Sequence, residues 1–348
     1  VKVLVTGATG FLGTALVERL LAHGDADRLG SASAGAGELR CLVRSGSDRS
    51  RLEALAARYP GTQLELFVGS LASKEAAAKA LEGVSVVYHL AASLLGAAAD
   101  MFLNTVVASK NLLEALVASG RPIKVVQVSS FGVYGVGALP RGHLVDEETP
   151  VEQHPARRDL YSQAKIRQEK LFREYQARAG FPLVVVRPGV IYGPRGSRFS
   201  VRVGLEMFGL FLHLGGDNAL PLTYVDNCAE AIALAGRSDA ANGQTYNVVD
   251  DDLPTARAYL KRYQAEVKRV RAVPVPYPAL QAISILVQRY HAYSKGQLPA
   301  IFTPYKTATS WGGNRFTNAK LKALGWRPLV STEEGIRRTF EYFKATPK

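Results

Sequence analysis

Tyr161 and Lys165 stand four residues apart in the run Tyr161-Ser162-Gln163-Ala164-Lys165. On a helix that spacing projects both side chains from one face. An ammonium beside a phenol stabilises the phenolate, and so lowers the pKa of a group that ordinarily titrates near ~10. A phenol in that position can exchange a proton with a reacting oxygen at working pH. Two hydroxyls, Ser129 and Ser130, precede the pair by about thirty residues. No His, Cys, Asp or Glu cluster has metal-ligand spacing, so the expected chemistry is proton transfer without a metal.

These groups need a scaffold and a co-reactant, and the start of the chain offers both. Val1 to Thr6 reads as a buried strand, Gly7-Ala8-Thr9-Gly10-Phe11-Leu12-Gly13 follows at once, and Thr14 to His23 has helical periodicity. Gly7 permits the tight turn, Gly10 lets backbone approach a pyrophosphate, and Gly13 lets helix and strand pack closely. Free N–H groups at the helix start then meet phosphate oxygens. Residues 25–37, rich in Gly, Ala and Ser, read as a flexible insertion. The strand Glu38 to Arg44 ends on a cation, with Ser45 and Arg49 nearby, where an acidic residue would hold the ribose of NAD. A cation there suits a 2′-phosphate, so NADP(H) is expected, with NAD(H) as the alternative.

Strand and helix go on alternating. Gln63 to Val68, Val84 to Leu90 and Ile123 to Val128 read as strands, and Lys74 to Leu81 and Met101 to Ala118 as helices. Near-continuous apolar strands indicate a parallel sheet covered on both faces. The fold class is therefore α/β, a doubly wound parallel (Rossmann) sheet with a smaller C-terminal substrate domain. Residues 1–195 form the dinucleotide domain and 196–348 the substrate region, with segments around 223–249 returning to the main sheet. Ligand belongs at the carboxyl ends of the strands. Ser70 and Leu71, Leu90, Ala91 and Ala92, and Ser129 and Ser130 stand there beside the glycine turn, with its Thr9, Phe11 and Leu12, and Arg44.

Ser129 to Gly135, the Tyr161/Lys165 pair, Val184 to Pro194, Thr223 to Ala231 and Asn318 to Pro328 occur in that order over almost the whole chain. Together they resemble the extended short-chain dehydrogenase/reductase (NAD-dependent epimerase/dehydratase) family. The resemblance implies that Tyr161 is the acid/base on a carbonyl or alcohol. Lys165 would hold the nicotinamide ribose and Ser130 the reacting oxygen. Ser129 would line the cofactor, and the Pro188 to Val190 turn would face its carboxamide. It also implies a small-molecule carbonyl or alcohol substrate and a homodimer.

Three positions depart from the pattern. Ser70 replaces an Asp that meets adenine. Thr105 stands where a helix Asn is expected, with Asn104 one residue early. Gly189 replaces an Asn that contacts the sugar nucleotide in epimerases and dehydratases. Dehydratases also carry an acidic pair where this chain has Phe131 and Gly132, which argues against that activity. The expected function is an NAD(P)-dependent carbonyl/alcohol oxidoreductase. A nucleotide-sugar epimerase is the alternative, and a non-catalytic cofactor sensor a third reading. A diphosphate clamp of arginines would favour the epimerase. An apolar pocket lined by 208–214 and 278–290 would favour a reductase of lipid-like ketones.

The 348 residues are 47% hydrophobic, which excludes disorder, and the net charge of +13 favours an anionic ligand or surface. Six basic residues against one acidic fall between Arg257 and Arg271. A solvated face is the simpler expectation there, and contact with an anionic substrate or membrane surface the sharper one. No nucleic-acid motif is present. Two cysteines, Cys41 and Cys228, form no disulfide framework, so a reducing, cytoplasmic compartment is expected. No secretory leader is read at the start, and the apolar stretches read as too short to span a bilayer. Ser200 to Leu214 is expected to be an apolar helix, Thr255 to Val270 a helix, and His143 to Asp159 a polar loop over the cofactor. Leu280, Ile283, Leu286, Val287 and Tyr290 mark a further helix.

Overall fold

Strands without a polar face must be covered on both sides, and the central strands of the first half are. The computed structural model describes residues 1–22, 37–207, 209–294 and 302–346. In it β1 (Lys2–Thr6), β2 (Glu38–Val43), β3 (Gln63–Val68), β4 (Val84–His89) and β5 (Lys124–Val128) run parallel. Between them lie α1 (Phe11–Ala22), α2 (Ser50–Arg58), α3 (Lys74–Ala80) and α4 (Ala98–Ala118), the last with one π-helical turn at Leu103–Val107. The expected insertion at 25–37 lies outside the described residues, apart from Gly37.

The chain continues through β6 (Leu144–Val145), α5 (Leu160–Ala179), β7 (Leu183–Pro188) and β8 (Val190–Tyr192). Next come β9 (Gly204–Met207), β10 (Leu210–His213), β11 (Leu222–Tyr224), α6 (Val225–Arg237) and β12 (Thr245–Val248). The last part holds α7 (Ala256–Glu266), β13 (Ala272–Pro274), α8 (Tyr277–Tyr293), α9 (Pro304–Trp311), β14 (Arg315–Phe316), α10 (Ala319–Ala323) and α11 (Thr332–Ala345).

The main sheet has seven strands in the order β12-β7-β5-β4-β1-β2-β3. Winding reverses between β1 and β4, which opens a crevice at their carboxyl ends. One face packs α1 and α6 through Leu16, Val17, Leu20 and Ile232. The other packs α4 and α5 through Leu112, Leu113 and Phe172. Helix α4 is long and apolar enough to cross a membrane by length and composition, against the expectation of short apolar stretches only. Its Leu112, Leu113 and Leu116 are core residues of the sheet. Cys41 and Cys228 are buried free thiols, and burial pushes both pKa values up.

The late sequence motifs tie the second half to the sheet. Asn227 Oδ1 accepts from the backbone N–H groups of Leu329 and Val330 at 2.8 and 2.9 Å, and its amide donates to Asp250 at 2.8 Å. Trp326 Nε1 donates to Asn227 O, and Asn318 Nδ2 to Val249 O. A second, three-stranded sheet has the order β13-β10-β9.

Two expected helices differ in the structure. The segment 200–214 forms the antiparallel pair β9–β10 instead of a helix. Gly204 lies so close to the facing strand that a Cβ on it would come within 2.1 Å of Leu212 O. Helix α7 ends at Glu266, which leaves Lys268, Arg269 and Arg271 on the connection into β13 and not on a helical face.

Candidate active site

Gly7 sits at φ +73°, and a Cβ there would come within 3.0 Å of the backbone of Leu90 and Ala91. A Cβ on Gly13 would lie 2.0 Å from Gly7 O. The turn therefore presses β1, β4 and the start of α1 together more tightly than any side chain permits. Beside it a cleft of about 780 Å³ runs along the carboxyl ends of the strands. Gly7, Thr9, Gly10, Phe11, Leu12, Gly13, Arg44, Ser70, Leu71, Leu90, Ala91 and Ala92 line it, as do Ser129, Ser130, Tyr161, Lys165, Pro188 and Val190. The candidate catalytic and cofactor-binding residues from Gly7 to Val190 thus face one space, whereas Ser45 and Arg49, named beside Arg44, are not among its lining residues; Arg49 donates to Ser45 O.

Helix α5 presents the tyrosine and lysine. Asp159 caps it, its carboxylate accepting from Ser162 N at 2.9 Å and from the Ser162 hydroxyl at 2.7 Å. Tyr161 falls in the first turn, and Lys165 one turn on. Ser130 is held by Gly132 N, which donates to Ser130 Oγ at 3.0 Å. The Ser130 hydroxyl lies near the Tyr161 phenol and favours its charged form.

The expected depression of the Tyr161 pKa by Lys165 is not met. Burial holds the phenol above its ordinary value, the nearby Ser130 hydroxyl offsets part of this, and Asp159 adds to the rise. The Lys165 ammonium is engaged elsewhere, donating to Val128 O at 2.6 Å and to Gln168 Oε1 at 2.5 Å. Burial lowers Lys165 itself to about 7.

Behind Lys165 lies a buried polar network. Ser109 Oγ lies 2.5 Å from Thr105 O and accepts from Gln168 Nε2 at 2.8 Å. His89 Nε2 lies 2.8 Å from Ser109 Oγ and 3.2 Å from Gln168 Nε2. His89 Nδ1 hydrogen-bonds the Thr6 hydroxyl at 2.9 Å. Burial, and then the nearby Lys165 charge, push the His89 pKa down to about 3, so the ring is neutral. Sequence reading missed Gln168, although its place three residues after Lys165 puts it on the same helical face.

Glu169 completes that face. Its carboxylate accepts from Ser129 Oγ at 2.6 Å and from both Arg187 Nε and Arg187 Nη2, at 3.1 and 2.5 Å. Burial alone would raise this carboxyl, but Arg187, Ser129 and Arg173 hold it near 2. Ser129 therefore has a partner behind the wall as well as a place beside the cleft.

At the other end, Arg44 and Ser47 line the cleft where β2 ends. Arg195, at φ +73°, lines it from the turn after β8. Arg51 lies near Arg195; burial lowers its pKa, and the Arg195 charge lowers it further. Among the described residues no Asp or Glu lines the cleft. Ser70 Oγ accepts from Ala72 N at 3.2 Å and so shapes its own turn.

Asn104 lines the cleft but donates to Asp100 O at 2.9 Å. Thr105 is fully buried, its hydroxyl accepting from Ser93 N at 3.0 Å, so it braces the loop after β4. One placement expected from the sequence fails, and the apolar lining that would favour a reductase of lipid-like ketones is not found among the described residues. No residue of 143–159 lines the cleft, because Arg158 anchors that loop on Tyr134 O and β6 pairs with β14 instead. Nor does any residue of 209–214 or 278–290; Phe208 lies outside the described residues. Leu94, Leu95 and the 195–197 turn line the cleft without having been singled out, since no motif marks them.

A model of the NAD dependent epimerase/dehydratase family matches residues 3–248. The sterol-4-alpha-carboxylate 3-dehydrogenase, decarboxylating, of Mus musculus is 26% identical, covering 98% of this chain and 91% of its own. The N-acetyl-alpha-D-glucosaminyl-diphospho-ditrans,octacis-undecaprenol 4-epimerase of Escherichia coli O157:H7 is also 26% identical, covering 98% of this chain and 95% of its own. The UDP-glucose 4-epimerase of Thermus thermophilus, solved in complex with NAD, superposes with a TM-score of 0.67. It covers 99% of this chain and 100% of its own at 24% identity, a likeness of fold.

Proposed function

Since the chain belongs to the NAD-dependent epimerase/dehydratase family, we propose that it is an NADP(H)-preferring oxidoreductase interconverting a carbonyl and an alcohol. The carrying observation is that Ser130, Tyr161 and Lys165 share one cleft wall, with the glycine turn and Arg44 farther along the same cleft. The close approach at Gly7 and Gly13 and the absence of carboxylates from the described lining fit an anionic dinucleotide. Arg44 and Arg195 supply cations to the cleft, and a cation at the end of β2 suits a 2′-phosphate.

The bound cofactor would supply or accept the hydride. Tyr161, kept protonated by burial, donates its phenolic proton to a carbonyl oxygen during reduction and takes it back during oxidation. Ser130, its oxygen already accepting from Gly132 N, turns its proton toward the same oxygen. Lys165 places positive charge along the wall. Expelling water from a sugar would need a carboxylate pair, and Phe131 and Gly132 stand there. Gly189 has no room for an Asn, since a Cβ would lie 2.2 Å from Pro221 O. One observation favours epimerisation of a diphosphate-linked sugar, namely Arg195 on the cleft wall.

Turnover of ketones, aldehydes and UDP-sugars with NADPH and with NADH tests this reading. Net NADPH oxidation with a ketone or aldehyde is expected. Sugar isomerisation without net cofactor change would transfer the assignment to the epimerase. Arg44→Asp should weaken NADPH binding about ten- to a hundredfold, from the loss of a charge-assisted hydrogen bond, and leave NADH binding little changed. Tighter wild-type binding of NADH than of NADPH would reverse the cofactor preference.

A further inference from the structure

Helix α8 buries only Leu280 and Ser284. Leu280 packs with Leu214 and Trp311, and the Ser284 hydroxyl meets Thr307 of α9 at 2.6 Å. The opposite side is apolar and open. Ile283, Ile285, Leu286, Tyr290 and Tyr293 are 44%, 43%, 64%, 55% and 84% exposed. A helix with one stripe packed and the other bare, yet apolar on both, calls for something to cover the bare one.

The charge of the chain before and after it says what. No Asp or Glu occurs between Glu266 and Glu333, while ten Lys and Arg do. Arg289 lies on the open side of α8 itself, and Lys268, Arg269 and Arg271 precede β13, whose Val273 is also exposed. Among the described residues these four cations have no ion-pair partner, whereas Arg257 and Arg262 on α7 are paired with Asp217, Glu266 and Glu333. Lys261, Arg269 and Arg271 line one shallow depression. A second copy of this lobe would bring like charges together, which disfavours self-pairing.

We propose that the outward face of α8 docks on an anionic lipid bilayer. Ile283, Ile285 and Leu286 enter the headgroup–acyl boundary, Tyr290 and Tyr293 sit at the polar level, and the unpaired arginines and lysines meet lipid phosphates. Such an enzyme works at the membrane surface with its helix lying in the interface plane.

Flotation of the full chain with phosphatidylcholine vesicles, with and without phosphatidylglycerol, tests this at low and high ionic strength. Binding to the phosphatidylglycerol vesicles is expected to be at least about tenfold tighter than to phosphatidylcholine alone, and to weaken with salt. Leu286→Ser/Tyr290→Ser should lose at least about tenfold in vesicle affinity, with circular dichroism and cofactor binding unchanged. Arg269→Gln/Arg271→Gln should flatten the salt dependence. Three outcomes overturn the proposal: no binding to anionic vesicles, equal binding to neutral ones, or full binding by Leu286→Ser/Tyr290→Ser. A fourth is a wild-type oligomer that the Leu286→Ser/Tyr290→Ser variant dissociates, which would make a second copy the occupant.

Discussion

Leu112 and Leu286 both sit in the middle of apolar helices, yet Leu112 is fully buried under the main sheet and Leu286 is 64% exposed. The seven-stranded sheet uses its apolar residues to hide from water on two faces and pairs nearly every polar group it buries. The lobe of β9, β10, β13 and α8 keeps one apolar stripe inside and turns another out. Apolar content alone does not distinguish core from surface; what lies across from the side chain does. In the sheet half, function depends on buried polar groups being satisfied. In the lobe, the informative feature is apolar surface left open.

Breaking the buried pairing should have the largest effect. Glu169→Ala leaves Arg187 charged and unpartnered in the interior, and should cost about 3–5 kcal/mol of stability by chemical denaturation. A loss under about 1 kcal/mol would mean that water reaches Arg187. Next is chemistry without packing. Tyr161→Phe should lower turnover about a hundredfold or more with the melting temperature and cofactor affinity unchanged. Near wild-type turnover would remove the phenol from the reaction.

A smaller effect is expected from Lys165, whose pKa burial lowers from 10.5 to about 7. Below about 7 the amine is charged in both folded and unfolded chains, and the burial penalty is present in full. Between about 7 and 10.5 the unfolded chain holds the extra proton, so stability should rise with pH, by up to about 1.4 kcal/mol per unit. The difference between wild type and Lys165→Met across pH 7 to 9 isolates this slope, and a flat difference would mean that Lys165 stays charged. The smallest effect sharpens the opening contrast. Leu286→Ala should change stability by no more than about 0.5 kcal/mol, against about 2–5 kcal/mol for Leu112→Ala. A Leu286→Ala cost as large as that of Leu112→Ala would mean that the α8 face is covered in solution.

The sheet half was legible in the sequence because its signals are local. A glycine triplet between a strand and a helix, apolar runs of strand length, and a Tyr and Lys one turn apart each report on their own surroundings. The lobe was not, because its geometry is set across the chain. The periodicity of Leu280, Ile283, Leu286 and Tyr290 announces a helix correctly, but period cannot say which side meets protein. Residues 200–214 read as helical by apolar content, but β9 and β10 pair antiparallel, and Gly204 leaves room for the facing strand. The partners of Lys165 were half legible. Gln168 and Glu169 follow it at helical spacing, whereas His89, Ser109 and Arg187 come from elsewhere in the chain.

The network behind Lys165 also governs how protons can travel. Its central member is an amide. The Gln168 amide neither gains nor loses a proton at neutral pH, and the neutral His89 ring faces two hydroxyls and that amide, not the ammonium. The wall is thus an insulator and not a wire. Whatever replenishes the proton on Tyr161 has to arrive from the cleft side, so traffic of protons and traffic of substrate share one doorway.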